Sequence, residues 1–182
     1  MDAPMATLDD ITKRVESLLS TNKTVRNLAH QELSGPATKK LVMAMDPSRL
    51  SDLARLLIAP DQLPGDAFLN ALDASLRAEV LRALLVVFFL SHGKVIPREF
   101  QLEAVAGALS GQDGLITAAT GSGKTLIMAM LALLRPNDRF ILIVPLKRLQ
   151  KSQTAEFDMY GVTSVIINED TPENPELWEV ST

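Results

Sequence analysis

The sequence predicts an α/β domain, in which three parallel strands alternate with helices, preceded by a small all-α domain. Three observations predict it. Residues 7–92 read as a succession of short helices broken by turn formers. Short apolar runs at 115–118, 140–144 and 162–167 then alternate with helical stretches. Between the first run and a long apolar helix lies a Gly-rich turn, Ala119-Thr120-Gly121-Ser122-Gly123-Lys124-Thr125. The change of pattern divides the chain into a helical domain over 1–93 and an α/β domain over 94–182.

In the first part, Thr7-Leu8-Asp9-Asp10 reads as a capping box with Thr7 as N-cap. Leu8, Ile11, Val15, Leu18 and Leu19 follow at helical spacing. Val25–Leu33 and Thr38–Met45 fit two more helices. Asp46-Pro47 is a start signal, with Asp as N-cap and Pro at the first helical position. Leu50, Leu53, Leu56 and Leu57 then share one face. The loop 60–66 is dense in turn formers, and Asp66 is placed to cap a short helix carrying Phe68, Leu69 and Leu72. A longer helix spans about Ala74–Ser91. Its second half, 84–90, is apolar all round and must be buried. Gly93 reads as its closing glycine.

Ile96-Pro97 ends a short linker. Arg98–Ser110 fits a helix, Gly111–Gly114 a turn, and Leu115–Ala118 the first strand. The Gly-rich turn leads into a helix ending near Leu134. Phe140–Val144 reads as a strand buried on both faces, Leu146–Tyr160 as a helix and Val162–Ile167 as the third strand. That order implies right-handed crossovers and a ligand site beyond the strand ends. The acidic, Pro-rich stretch 169–176 reads as a loop.

The bulk numbers narrow the function. The net charge is −4, which does not indicate a strongly basic nucleic-acid binder. Residues 1–95 carry 11 basic and 11 acidic side chains, whereas 96–182 carry 7 and 11. The absence of cysteine excludes disulfides and thiolate metal sites. Apolar runs such as Ala83–Leu90 are too short to span a bilayer. The N-terminus has no basic-then-apolar pattern, so the expectation is a soluble intracellular protein. His30 and His92 are isolated and read as plain helix residues. Asp9-Asp10 reads as capping, and Met128 and Met130 as core.

The Gly-rich turn carries the chemistry. In a strand–turn–helix setting its backbone N–H groups point at phosphate oxygens and the helix N-terminus adds partial positive charge. Gly121 and Gly123 let the backbone curl, Lys124 reaches the β- and γ-phosphates, and the Thr125 hydroxyl holds Mg²⁺. The pattern G-x-x-x-x-G-K-[ST] is met except at its first glycine, where Ala118 stands. Upstream, Gln101 carries an amide that both donates and accepts, matching the N6/N7 edge of adenine. It precedes Lys124 by 23 residues.

Arg98-Glu99-Phe100-Gln101, followed at this distance by Ser110-Gly111-Gln112-Asp113 and the T-G-S-G-K-T core, resembles the Q-motif helix and motif I of superfamily-two helicases. The resemblance is nearest to RecQ-type DNA helicases. Pro145-Leu146-Lys147-Arg148-Leu149, continuing to Gln153, is similar to their motif Ia, which lies along single-stranded DNA. Asn168–Pro172 with Leu177-Trp178 is similar to fungal RecQ-like proteins. The resemblance covers about 94–178 and implies a partial RecA-like domain that binds ATP and Mg²⁺. It implies nucleotide contacts from Arg98, Gln101 and Thr120–Thr125, with Thr125 on the metal. It further implies weak contact of Pro145, Leu146, Lys147 and Arg148 with single-stranded DNA, and a nuclear location.

In that family an acidic motif II and a second motor domain complete the ATPase. After Lys124 the only adjacent acidic pair is Glu169-Asp170, in a turn-rich tail. The expectation is a helicase front portion, truncated before motif II, that neither hydrolyses ATP nor unwinds DNA alone. The rival expectation is a non-catalytic interaction module, with a protein partner on the helical domain and a vestigial nucleotide platform. A different phosphate-loop ATPase or kinase ranks third, because it leaves Gln101 and the Pro145 segment unexplained.

Overall fold

The structure is a computed structural model that describes residues 36–171. The capping box at Thr7, the helices expected over 8–19 and 25–33, His30 and the Leu177-Trp178 tail lie outside the described residues. The chain divides into two compact units, one ending at Phe140 and the other beginning at Ile141.

In the first unit the elements are α1 (Pro36–Ala44), α2 (Pro47–Leu57), a 3₁₀ turn (Pro60–Gln62), α3 (Asp66–Ala71), α4 (Ala74–Leu90), α5 (Glu99–Leu109) and α6 (Lys124–Leu134). The Asp46-Pro47 start signal is realised: Asp46 is the N-cap of α2 and accepts from the Ser48 N–H at 2.9 Å. Asp73 caps α4 in the same manner through the Leu76 N–H. Asp66 is not a cap. It is the first residue of α3, and the N-cap is Gly65, whose N–H donates to the Glu99 carboxylate at 2.5 Å.

The hub is α4, which packs against α1, α2, α5 and α6. A helix contacted on several sides needs an apolar surface on several sides, and Ala83–Phe89 are all buried. Each fully buried Leu, Val or Phe there contributes about 1.5–3 kcal/mol. α5 also packs on α6, so the core of this unit is shared by α4, α5 and α6. Glu79 of α4 adds a polar tie, pairing with Arg82 at 2.9 Å and with Arg135 at 2.8 Å just past the end of α6.

α4 ends in a Schellman motif. The His92 N–H donates to the Phe89 carbonyl at 3.0 Å and the Gly93 N–H to the Phe88 carbonyl at 2.7 Å. His92, at φ 54°, therefore takes the left-handed closing position and lies beyond the helix, with Gly93 following at φ 72°.

The second unit contains α7 (Lys147–Met159). It closes with the same motif, Gly161 at φ 67° and Val162 N–H donating to the Phe157 carbonyl at 3.0 Å.

The expected α/β fold with three parallel strands is not what forms. Every regular element among the described residues is helical, and residues 115–118, 140–144 and 162–167 run without a strand ladder. Leu115 is 93% exposed, and Ile141 and Ile143 are 86% and 87% exposed. The cause is that an apolar run selects an extended backbone, whereas a strand also needs a neighbour to take its N–H and C=O groups. Parallel pairing supplies that neighbour only through a long-range crossover. Here none of the three runs is part of a ladder, and the bonds their ends make go to side chains or to a helix end, as from Lys124 to the Ala118 carbonyl, from Gln150 to the Val144 carbonyl and from the Val162 N–H to the Phe157 carbonyl. A RecA-like sheet with crossovers is therefore not present among the described residues.

Candidate functional site: the Gly-rich turn before α6

The turn 119–123 is shaped by two glycines in the left-handed region. Gly121 has φ 80° and Gly123, the N-cap of α6, has φ 81°. A side chain is disfavoured in that conformation. The Ser122 N–H donates to the Ala119 carbonyl at 3.2 Å and tightens the curl. α6 has no side-chain cap and no acidic residue in its first turn, so its N-terminal N–H groups and positive dipole end are available to an anion.

Lys124, the first residue of α6, folds back across the turn. Its Nζ donates to the Ala118 carbonyl at 2.8 Å and to the Ala119 carbonyl at 3.0 Å. An ammonium has three donors, so one remains for a phosphate oxygen. Thr125 is half-buried and Thr120 exposed at the rim. Ser122 Oγ is buried with no protein partner. A positive helix end, a poised ammonium and an orphaned hydroxyl form a donor set that fits a phosphate chain with its metal.

Gln101 is brought to this turn from α5. It is 3% exposed. Its Oε1 accepts from the Arg98 N–H at 2.8 Å, which is half of a capping box at the start of α5. Its Nε2 donates to the Ser122 carbonyl at 3.1 Å and the Gly123 carbonyl at 2.9 Å. The amide thus fastens the start of α5 to the Gly-rich turn. Arg98 itself is exposed, and it enters the arrangement through its backbone as the N-cap of α5.

Of the expected nucleic-acid contacts, Pro145, Leu146, Lys147 and Arg148 all lie in the second unit and are exposed. Leu146 is the N-cap of α7, and Lys147 and Arg148 open it. Lys147 is engaged: its Nζ lies 2.7 Å from Asp170 Oδ2 and 2.6 Å from Glu169 Oε1. Those carboxylates, Asp170 first, hold the ammonium above its ordinary range. Gln150 Nε2 donates to the Val144 carbonyl at 3.2 Å and fixes the chain entering the helix.

Two contributions were not visible in the sequence pattern. Glu99 sits inside the Arg98–Gln101 motif, yet its partner is Gly65, 34 residues away. Glu169-Asp170 stands out as an acidic pair, but nothing local marks Lys147 as its partner.

Residues 98–177 match the DEAD/DEAH box helicase family model. The match begins at the residue that caps α5 and takes in Gln101, the Gly-rich turn and the Pro145 segment. It supports a superfamily-two helicase relationship, with a nucleotide-binding portion, for that segment. No curated protein and no solved structure matches the chain. Helicase domains of this family bind ATP, generally with Mg²⁺, and nucleic acid. Among the described residues no helix is long and apolar enough to cross a membrane.

Proposed function

We propose that this chain is the ATP- and nucleic-acid-binding front portion of a RecQ-like DNA helicase, acting in the nucleus, and that it neither hydrolyses ATP nor unwinds DNA alone. The division into a helical domain over 1–93 and a nucleotide-binding domain over 94–182 is part of the same proposal. The observation that carries it is Lys124 lying across a Gly-rich turn at the uncapped start of α6, with the buried Gln101 amide fastened to that turn.

In this reading Thr120–Gly123 present backbone donors to the phosphates and Lys124 supplies a charge to the β- and γ-phosphates. Thr125 holds Mg²⁺, the ion that neutralises phosphate charge when bound. Arg98 and Gln101 flank the base. Gln101 Oε1 keeps one lone pair for the adenine N6 donor. Reading N7 as well requires Nε2 to release a carbonyl. The incapacity to hydrolyse rests on the acidic residues: the one adjacent pair after Lys124, Glu169-Asp170, stands in an exposed turn beside Lys147 and not after an apolar strand. Hydrolysis needs a carboxylate on the metal and a group that orients water.

The test is binding of a fluorescent ATP analogue with Mg²⁺. Saturable binding that is lost in Lys124→Ala, with the adenine preference lost in Gln101→Ala, is the expected result. Binding indifferent to Lys124 overturns the reading. DNA-stimulated turnover of ATP by the chain overturns the claim of incapacity. The rival, an interaction module built on the helical domain with a vestigial nucleotide platform, predicts no nucleotide binding at all.

A further inference from the structure

Lys147 does not meet solvent as a free cation. The two carboxylates on it belong to an organised turn. The Asn168 N–H donates to Thr171 Oγ1 at 2.9 Å, and the Asp170 N–H donates to Asn168 Oδ1 at 3.0 Å. Asn168 Nδ2 donates to Gln150 Oε1 at 3.0 Å, so a neutral amide pair also fastens the turn to α7. No acidic residue lies in the first turn of α7, and Leu146 offers no side-chain cap. The negative charge at this positive helix end therefore comes from a distant stretch of chain.

We propose that Glu169 and Asp170 act as an internal phosphate mimic, masking Lys147 and lowering the affinity of the Pro145–Arg148 segment for single-stranded nucleic acid. The inference rests on the reading of that segment as a nucleic-acid contact and adds its regulation. Carboxylate and phosphate oxygens compete for the same ammonium donors. The side chains of Lys147, Glu169 and Asp170 are 46%, 78% and 72% exposed, so water and salt screen the pair and an incoming strand displaces it. The mask is therefore graded. The Asn168–Gln150 bond, which carries no charge, keeps the turn nearby after displacement.

The experiment uses the full chain and a fluorescent single-stranded oligothymidine, with anisotropy at low and moderate salt. The variants are Glu169→Gln/Asp170→Asn, Lys147→Ala and the combination. Removing the two charges is expected to tighten binding about two- to fivefold at low salt, the range set by an exposed ion pair. The gain shrinks as salt rises. In the Lys147→Ala background the gain is expected to vanish. A gain of equal size without Lys147 overturns the proposal, because net charge alone then explains it. Equal affinities with and without the acidic pair, while Lys147→Ala still weakens binding, overturn the mask and leave the nucleic-acid contact standing. Absence of binding by every variant overturns both. Unchanged far-ultraviolet circular dichroism is expected throughout, since the residues replaced are exposed.

Discussion

Gln101 Nε2 lies 2.9 Å from the Gly123 carbonyl oxygen, and a Cβ built on Gly123 would stand 2.7 Å from that same nitrogen. Gly123 is therefore constrained twice, by its φ of 81° and by a buried amide that leaves no room for a methyl group. Gly121 shares the first constraint, with φ 80°, but nothing stands within 4 Å of its Cβ position. Gly121→Ala is expected to cost about 1–2 kcal/mol, the left-handed penalty alone. Gly123→Ala is expected to cost more, because Gln101 must also give way. Denaturant unfolding of both variants, repeated in a Gln101→Ala background, isolates the steric part. Equal costs at the two glycines would show that the amide moves freely.

The same amide gives a second expectation. Gln101→Leu keeps the volume but strips the Ser122 and Gly123 carbonyls of a donor and the Arg98 N–H of an acceptor. The loss should total about 1–3 kcal/mol. Gln101→Glu keeps the acceptor for Arg98 but sets a carboxylate against two carbonyl oxygens. It should be the worse variant at neutral pH and should recover as the carboxyl is protonated. Hydrogen exchange of the 119–125 amides, with thermal unfolding across pH, checks both.

These residues also show how far a sequence can be read. The Asp46-Pro47 start, the all-round apolar half of α4 and the Gly-rich turn before an apolar helix are local signals, set by spacing and residue type. They are found where the pattern puts them. The strands failed because pairing is a tertiary property. Phe140–Val144 has a strand's composition, but composition does not supply a neighbour for its N–H groups. His92 lies beyond the helix for a related reason. A helix that ends by Schellman bonds needs one left-handed residue, and the bonds to Phe89 and Phe88 put His92 there ahead of Gly93. The Gln101–Gly123 and Glu99–Gly65 bonds span 22 and 34 residues, and no local pattern encodes either.

The hub position of α4 predicts coupling between the core and the candidate site. Leu84 is fully buried in the helix that packs on both α5 and α6. Leu84→Ala is expected to cost about 2–5 kcal/mol. It should also loosen the Gly-rich turn, raising amide exchange at 121–125, because α5 and α6 hold that turn from two sides. Leu149→Ala, at a side chain 43% exposed in α7, is expected to change stability by less than about 0.5 kcal/mol. Comparable losses in the two variants would contradict the placement of the core.

Asp46 sets a pH dependence with a definite sign. Its Oδ1 accepts from the Ser48 hydroxyl at 2.6 Å and from the Ser48 N–H at 2.9 Å. Those bonds, the hydroxyl first, hold the carboxyl below its ordinary value of 3.8. Folding therefore favours the ionised form. The contribution is complete above the unfolded value and is lost as pH falls through the lower folded value. Asp46→Ala should be less stable than the parent at neutral pH, and the gap should close in acid. Asp46→Asn retains an oxygen for the Ser48 N–H without the titrating charge, so its stability should fall less steeply through the acid range. Thermal unfolding of the three proteins from neutral pH to below 3.8 makes the comparison. A gap that stays constant with pH would mean that the cap works by shape and hydrogen bonding alone, independent of charge.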